Sequence, residues 1–122
     1  MDRILAILRA PVEGLILDAG CGMGYHSLRI ARKGFRCVGV DLSLRVLLKA
    51  QSHIAHAGLN HRVSLACQAL EDLPFADETF DAIHCRGVLM HIPEWDKALA
   101  QRCRVLKTGG RIALLELNDR SL

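Results

Sequence analysis

The stretch Leu15-Ile16-Leu17-Asp18-Ala19-Gly20-Cys21-Gly22-Met23-Gly24-Tyr25-His26 decides the fold. An apolar run comes first, then an acid, then three glycines at alternate positions, then a segment able to form a helix. A continuous apolar run suits a parallel strand covered on both faces. Glycines can take positive φ and let a ligand come close to the backbone. A helix starting near Gly24 points unpaired N–H groups into the turn, which favours a bound anion. Together these features predict a buried strand, a tight turn and a helix, with a ligand held at the turn.

Spacing narrows the ligand. A dinucleotide fingerprint reads G-x-G-x-x-G. Gly20 and Gly22 fill its first two positions, but Tyr25 stands at the third. The pattern present is Asp18-x-Gly20-x-Gly22-x-Gly24, which argues against a nicotinamide-dependent dehydrogenase. A second apolar segment, Cys37-Val38-Gly39-Val40-Asp41, also ends in an acid. It stands where such folds place a carboxylate for a ribose.

Working outward, residues 2–9 predict a short helix with Ile4, Leu5 and Leu8 on one side, and Pro11 and Gly14 punctuate after it. Strands are expected over Leu15–Asp18, Arg36–Val40, Arg62–Cys67, Phe80–Cys85 and Arg111–Leu117. Between them come helices. One spans 25–33 and is stopped by Gly34. A second is capped by Ser43 and ended by Gly58, with Leu44, Leu47, Leu48, Ile54 and Ala55 at helical spacing. A third begins near Pro93, carries Trp95, Ala98, Leu99, Cys103 and Leu106 on one face, and is closed by Thr108-Gly109-Gly110. Leu73-Pro74-Phe75 reads as loop, since Pro74 lacks an N–H and restricts Leu73. Strands alternating with helices make an α/β fold with a parallel sheet. Ligands bind beyond the carboxyl ends of such strands. Asp18, Asp41, Cys67–Leu70 and Cys85-Arg86-Gly87 all fall at those ends.

Composition sets outer bounds. The 122 residues are enough for one domain over 1–122 with one core, and 51% are hydrophobic. The net charge of +3 is scattered, with no basic block to suggest nucleic acid. No span approaches the ~20 apolar residues of a membrane crossing. The five cysteines, Cys21, Cys37, Cys67, Cys85 and Cys103, contain no C-x-x-C pair. They read as small buried residues in a reducing, cytoplasmic setting. His53, His56 and His61 lack an acid or cysteine to complete a metal set.

The glycine pattern with Asp18 and Asp41 resembles motif I and its following acid in the class I S-adenosylmethionine (SAM) methyltransferases. Further motifs, in order, resemble the UbiE-like group of that family. They are Ala69-Leu70-Glu71-Asp72-Leu73-Pro74-Phe75, Phe80-Asp81-Ala82-Ile83, Gly87-Val88-Leu89-Met90-His91-Ile92 and Arg104-Val105-Leu106-Lys107-Thr108-Gly109-Gly110. The resemblance runs over residues 15–117. It implies a three-layer Rossmann-like sheet of about five strands with flanking helices, forming a short version of the family core.

What the resemblance implies for the site is specific. Gly20, Cys21, Gly22 and Gly24 would cradle the amino acid end and ribose of SAM, and Asp18 would favour its cationic amino group, directly or through water. Asp41 would accept both ribose hydroxyls, with Leu42 beside it. Ala69 stands where the family usually has an acid for the adenine amino group, which leaves Glu71, Asp72 or a backbone carbonyl for that contact. The Leu70 N–H would meet an adenine ring nitrogen, and Arg86 closes the cofactor group. His91 is the candidate general base, its unperturbed pKa of about 6.5 being suited to the task. The implied activity is methyl transfer to an unidentified acceptor, a small molecule in preference, giving S-adenosylhomocysteine. The rival is a SAM-binding remnant that acts as a regulatory or interaction module. With the family's later hairpin missing, the fifth strand would present Ile112, Leu114 and Leu115 on an open edge suited to self-association.

Overall fold

The computed structural model describes residues 13–86 and 95–115. Five parallel strands form one sheet: β1 (Leu15–Ala19), β2 (Arg36–Asp41), β3 (Val63–Cys67), β4 (Phe80–Arg86) and β5 (Leu106–Leu115). Their order is β3-β2-β1-β4-β5. Three helices connect them: α1 (Tyr25–Arg32), α2 (Leu44–His56) and α3 (Trp95–Val105). The chain therefore starts in the middle of the sheet, winds out to β3, and returns to add β4 and β5 on the other side. That reversal opens a crevice at the carboxyl ends of β1, β2 and β4.

Alternation along the strands builds a core on each face. One core gathers Ile16, Leu28, Ile30, Cys37, Ile54 and Val63 with α1 and α2. The other gathers Leu17, Val40, Leu73, Ile83, Ala98 and Val105 with α3. Being covered on both sides explains why Leu15–Leu17 and Cys37–Val40 read as unbroken apolar runs. Gly39 interrupts β2 for a steric reason. A Cβ there would come within 2.9 Å of Leu65 Cδ2 and 3.0 Å of Cys21 Sγ.

Several expectations are corrected. The third helix ends at Val105, before Thr108-Gly109-Gly110, because Leu106 already pairs with Phe80 as the first residue of β5. The glycine pair instead lies in an irregularity of β5, where the partner of β4 jumps from Leu106 to Arg111. Gly110 is required there, since a Cβ would lie 2.7 Å from Asp81 O. On α2 the buried face is Leu47, Ala50 and Ile54, while Leu44 and Leu48 are 60% and 57% exposed and Ala55 faces solvent. Of the cysteines, Cys21, Cys37 and Cys85 are buried, but Cys67 and Cys103 are exposed. The proposed helix over 2–9 lies outside the described residues.

On α3 the inward face is Ala98, Arg102 and Val105, in place of the expected Leu99 and Cys103. Arg102 is fully buried, and its Nε, Nη1 and Nη2 have no hydrogen-bond partner among the described residues. An unpaired buried guanidinium loses several kcal/mol of hydration. That is comparable with the gain from one or two large apolar side chains, each about 1.5–3 kcal/mol. Arg102→Met should therefore raise the denaturant midpoint, by about 1–4 kcal/mol of stability. A loss on equilibrium unfolding would reveal an anion that meets the guanidinium in solution.

Candidate functional site

The turn after β1 is built by backbone geometry. Gly20, Gly22 and Gly24 all take positive φ, at 76°, 56° and 86°. Gly20 N and Cys21 N both donate to Val40 O, at 2.7 and 2.9 Å, which docks the turn on the end of β2. Gly24 N donates to Cys21 O at 3.0 Å and closes it. A Cβ on Gly22 would meet nothing within 4 Å, so its open side leaves room for a ligand. A Cβ on Gly24 would stand 3.1 Å from Ala50 Cβ, so this glycine packs the turn on α2.

Asp41 ties the turn to the next helix. Its Oδ2 accepts from Gly22 N at 2.9 Å, and its Oδ1 accepts from Ser43 N at 3.0 Å. Ser43 Oγ in turn accepts from Val46 N and caps α2. The half-buried carboxylate is thereby held still. Each carboxylate oxygen has two acceptor positions, so capacity remains for two hydroxyls of a diol. Leu42, beside it, is 73% exposed and offers an apolar platform. Past β3, Gln68 N donates to Asp41 O and draws the following segment to the same rim. There Asp72 N donates to Ala69 O, and Leu70 anchors the turn with a buried side chain. The amides of Ala69 and Leu70 have no acceptor among the described residues.

Asp18 lies beneath the turn. It is 1% exposed, and both oxygens are engaged. Ser27 Oγ donates to Oδ2 at 2.6 Å, and His84 Nδ1 donates to Oδ1 at 3.0 Å. A carboxylate only accepts, so His84 carries its proton on Nδ1. The ring of His26 lies 5.0 Å from that of His84, and His84 Nε2 is buried without a partner. Asp18 thus braces β1, β4 and α1 from below, while Asp41 stands at the mouth. Arg86 closes β4 at the same edge of the sheet, and His91 lies outside the described residues.

Three supports were not foreseen from sequence. His53 Nδ1 donates to Met23 O at 3.0 Å, and its ring stacks on Tyr25 at 5.0 Å, which ties α2 to the turn. The Asp18–Ser27–His84 network is the second. The third is Arg104, which forks into the loop after β3. Its Nη1 donates to Phe75 O and Asp77 Oδ1, at 2.7 and 2.8 Å. Its Nη2 donates to Leu73 O at 2.8 Å and Gln101 Oε1 at 2.9 Å. The planar fork suits this task, and a lysine could not repeat it. Leu73-Pro74-Phe75 and Arg104 belong to two of the quoted motifs, but nothing in either motif pairs it with the other. Among the described residues no group of three or more His, Cys, Asp or Glu is placed to hold a metal ion.

With this geometry in hand, the comparisons with known proteins fall into place. Residues 17–114 match the methyltransferase domain family, and the chain belongs to it. It is 35% identical over 103 residues to methyltransferase GfsG of Streptomyces halstedii, covering 84% of this chain and 37% of that protein. It is 36% identical over 114 residues to the ubiquinone biosynthesis O-methyltransferase of Xylella fastidiosa, covering 90% of this chain and 45% of that one. Among solved structures, the 4+2 cyclase SpnF superposes with a TM-score of 0.90 at 32% identity, over 94% of this chain and 43% of that chain. YcgJ of Bacillus subtilis gives 0.88 at 30%, over 94% and 49%. The chain spans less than half the length of these relatives.

The buried thiols offer a check on the site. Burial, then the charges of Asp18 and Asp41, push the Cys21 thiol from 9.0 up to about 12. Burial and then Asp18 also push up Cys37. The native state therefore holds the Cys21 proton more tightly than the unfolded chain. Its contribution is complete below about pH 9 and is lost as pH rises towards about 12. Cys21→Ala should flatten the fall in stability over that window, followed by denaturant titrations at several pH values. In the native protein Cys67 and Cys103 should react with a thiol reagent at neutral pH, and Cys21, Cys37 and Cys85 only on unfolding.

Proposed function

We propose that this chain is the cofactor-binding core of a SAM-dependent methyltransferase acting on a small-molecule acceptor. The observation that carries the reading is the Asp41 carboxylate, fixed by Gly22 N and Ser43 N at the mouth of a turn of three positive-φ glycines. The residues fit the cofactor. Asp41 would accept the ribose hydroxyls, and Leu42 would underlie the adenine. The amide of Leu70 would meet a ring nitrogen. The open side of Gly22, with Gly20, Cys21 and Gly24 around it, would admit the ribose and amino acid end near the start of α1. Asp18 would act through the turn that it braces. Ala69 supplies no acid, so the adenine amino group is left to a carbonyl or to Glu71. SAM, when bound, supplies a methyl group already activated by a positively charged sulfur.

The chain's own part is alignment. Orienting an acceptor in line with a departing group can contribute ~7–11 kcal/mol, so no nucleophile or triad is needed. Where the acceptor must lose a proton, His91 is the proposed base, and Arg86 is assigned to the cofactor rim. The relatives' names guide the acceptor class: those naming ubiquinone biosynthesis, demethylmenaquinone and 24-methylenesterol point to small molecules, and one names tRNA. A cytoplasmic location is part of this proposal. Among the described residues no helix is long and apolar enough to cross a membrane.

Titration calorimetry tests the reading. SAM should bind and raise the melting temperature, as a ligand of the native state must. Asp41→Ala removes charge-assisted hydrogen bonds of about 1.5–3 kcal/mol each and should weaken binding about 100-fold or more. Unchanged affinity would remove Asp41 from the site. The second reading, SAM binding without methyl transfer, is favoured by the likeness to a cyclase. Formation of S-adenosylhomocysteine with phenolic and quinol acceptors separates the two.

We also propose self-association along β5, which stands at one edge of the sheet. Sedimentation should then show a concentration-dependent dimer, and a monomer at high concentration would refute it.

A further inference from the structure

At the opposite edge of the sheet, β3 pairs only with β2 among the described residues. Cys37 N donates to Arg62 O, and Gln68 N donates to Asp41 O. Ladder alternation then turns the peptide groups of Ser64 and Ala66 inward and those of Val63, Leu65 and Cys67 outward. Val63 N is taken by Leu59 O, which leaves Val63 O, Leu65 N, Leu65 O and Cys67 N without a partner among the described residues. On the face beside that edge, a groove of about 330 Å³ runs between β3 and α2. Leu44, Leu47, Leu48, Ile54, Leu65 and Cys67 line it. Leu44 and Leu48 are more than half exposed, one turn apart on α2, where solvent-facing positions are ordinarily polar.

Charge points to the occupant. From Leu42 to Leu70 the chain has no Asp or Glu. Arg45 and Lys49 follow the two exposed leucines along α2, are themselves exposed, and have no carboxylate partner among the described residues. A second copy presenting the same face would set these cations against their own kind. A bilayer would leave the free strand N–H and C=O groups unpaired, since lipid offers no hydrogen-bond partners. An added strand would satisfy the edge, lay alternate apolar side chains into the groove, and bring acids to Arg45 and Lys49.

We propose that the β3–α2 edge is a docking site for an extended, acidic segment of a partner protein, added to the sheet as a sixth strand. This surface adjoins the cofactor rim at Cys67, whose Sγ donates to Leu42 O at 3.4 Å, but runs away from it along β3, and it goes beyond the proposed methyl transfer.

The probe is a short labelled peptide that alternates glutamate with leucine, compared with the same peptide carrying lysine in place of glutamate. The glutamate peptide should bind about tenfold or more tightly than the lysine peptide and slow amide exchange at Leu65 and Cys67. Leu44→Gln with Leu48→Gln should abolish binding and leave SAM affinity unchanged, which separates this site from the cofactor reading. Both positions are exposed, so the fold should persist. Arg45→Glu with Lys49→Glu should reverse the preference between the two peptides. Equal affinity for both peptides, or binding kept by the leucine variant, would overturn the proposal. So would flotation of the free protein with phosphatidylserine vesicles, or a dimer, where either is lost on changing the two leucines.

Discussion

The molecule depends on a short bridge of two hydrogen bonds, from Gly22 N and Ser43 N to the Asp41 carboxylate. One donor lies in the turn after β1 and the other at the cap of α2. A single side chain thereby fixes how two neighbouring βα units meet. Val40 O assists by accepting from Gly20 N and Cys21 N on the same strand. Without these ties, three glycines of free φ would sample many conformations. With them, the turn holds its shape before any ligand arrives, and binding need not order it.

Two acids that look equivalent in sequence serve different ends. Both terminate buried strands. Asp18 is sealed under the turn and satisfied by Ser27 and His84, whereas Asp41 stays half-open beside an exposed leucine. The difference comes from the face each side chain takes. Asp18 meets Ser27 of α1 beneath the turn, and Asp41 is the last residue of β2, at the rim of the sheet.

Much of the fold was legible because it rests on local signals. Apolar runs gave the strands, Ser43 gave a cap, and Gly34 and Gly58 gave helix ends. The site was legible as far as glycines and acids mark it. What escaped was made by contacts distant in sequence. Nothing near Arg104 announces the carbonyls of Leu73 and Phe75, and nothing near His84 announces Asp18. Periodicity also misplaced two helix faces. Leu44 and Leu48 count as apolar in any pattern yet face outward, while Arg102 counts as polar yet faces inward. The third helix was drawn too long because Gly109 and Gly110 look like a stop signal. The true stop is the pairing of Leu106 with Phe80.

The close approach at Gly39 has an evolutionary consequence. The space that its missing side chain leaves is already filled by Leu65 from the next strand and Cys21 from the turn. Positions 21, 39 and 65 therefore form one steric unit spread over three segments. A larger residue at 39 would have to swing Leu65 Cδ2 aside and displace Cys21, so enlargement there should go with change at 21 or 65.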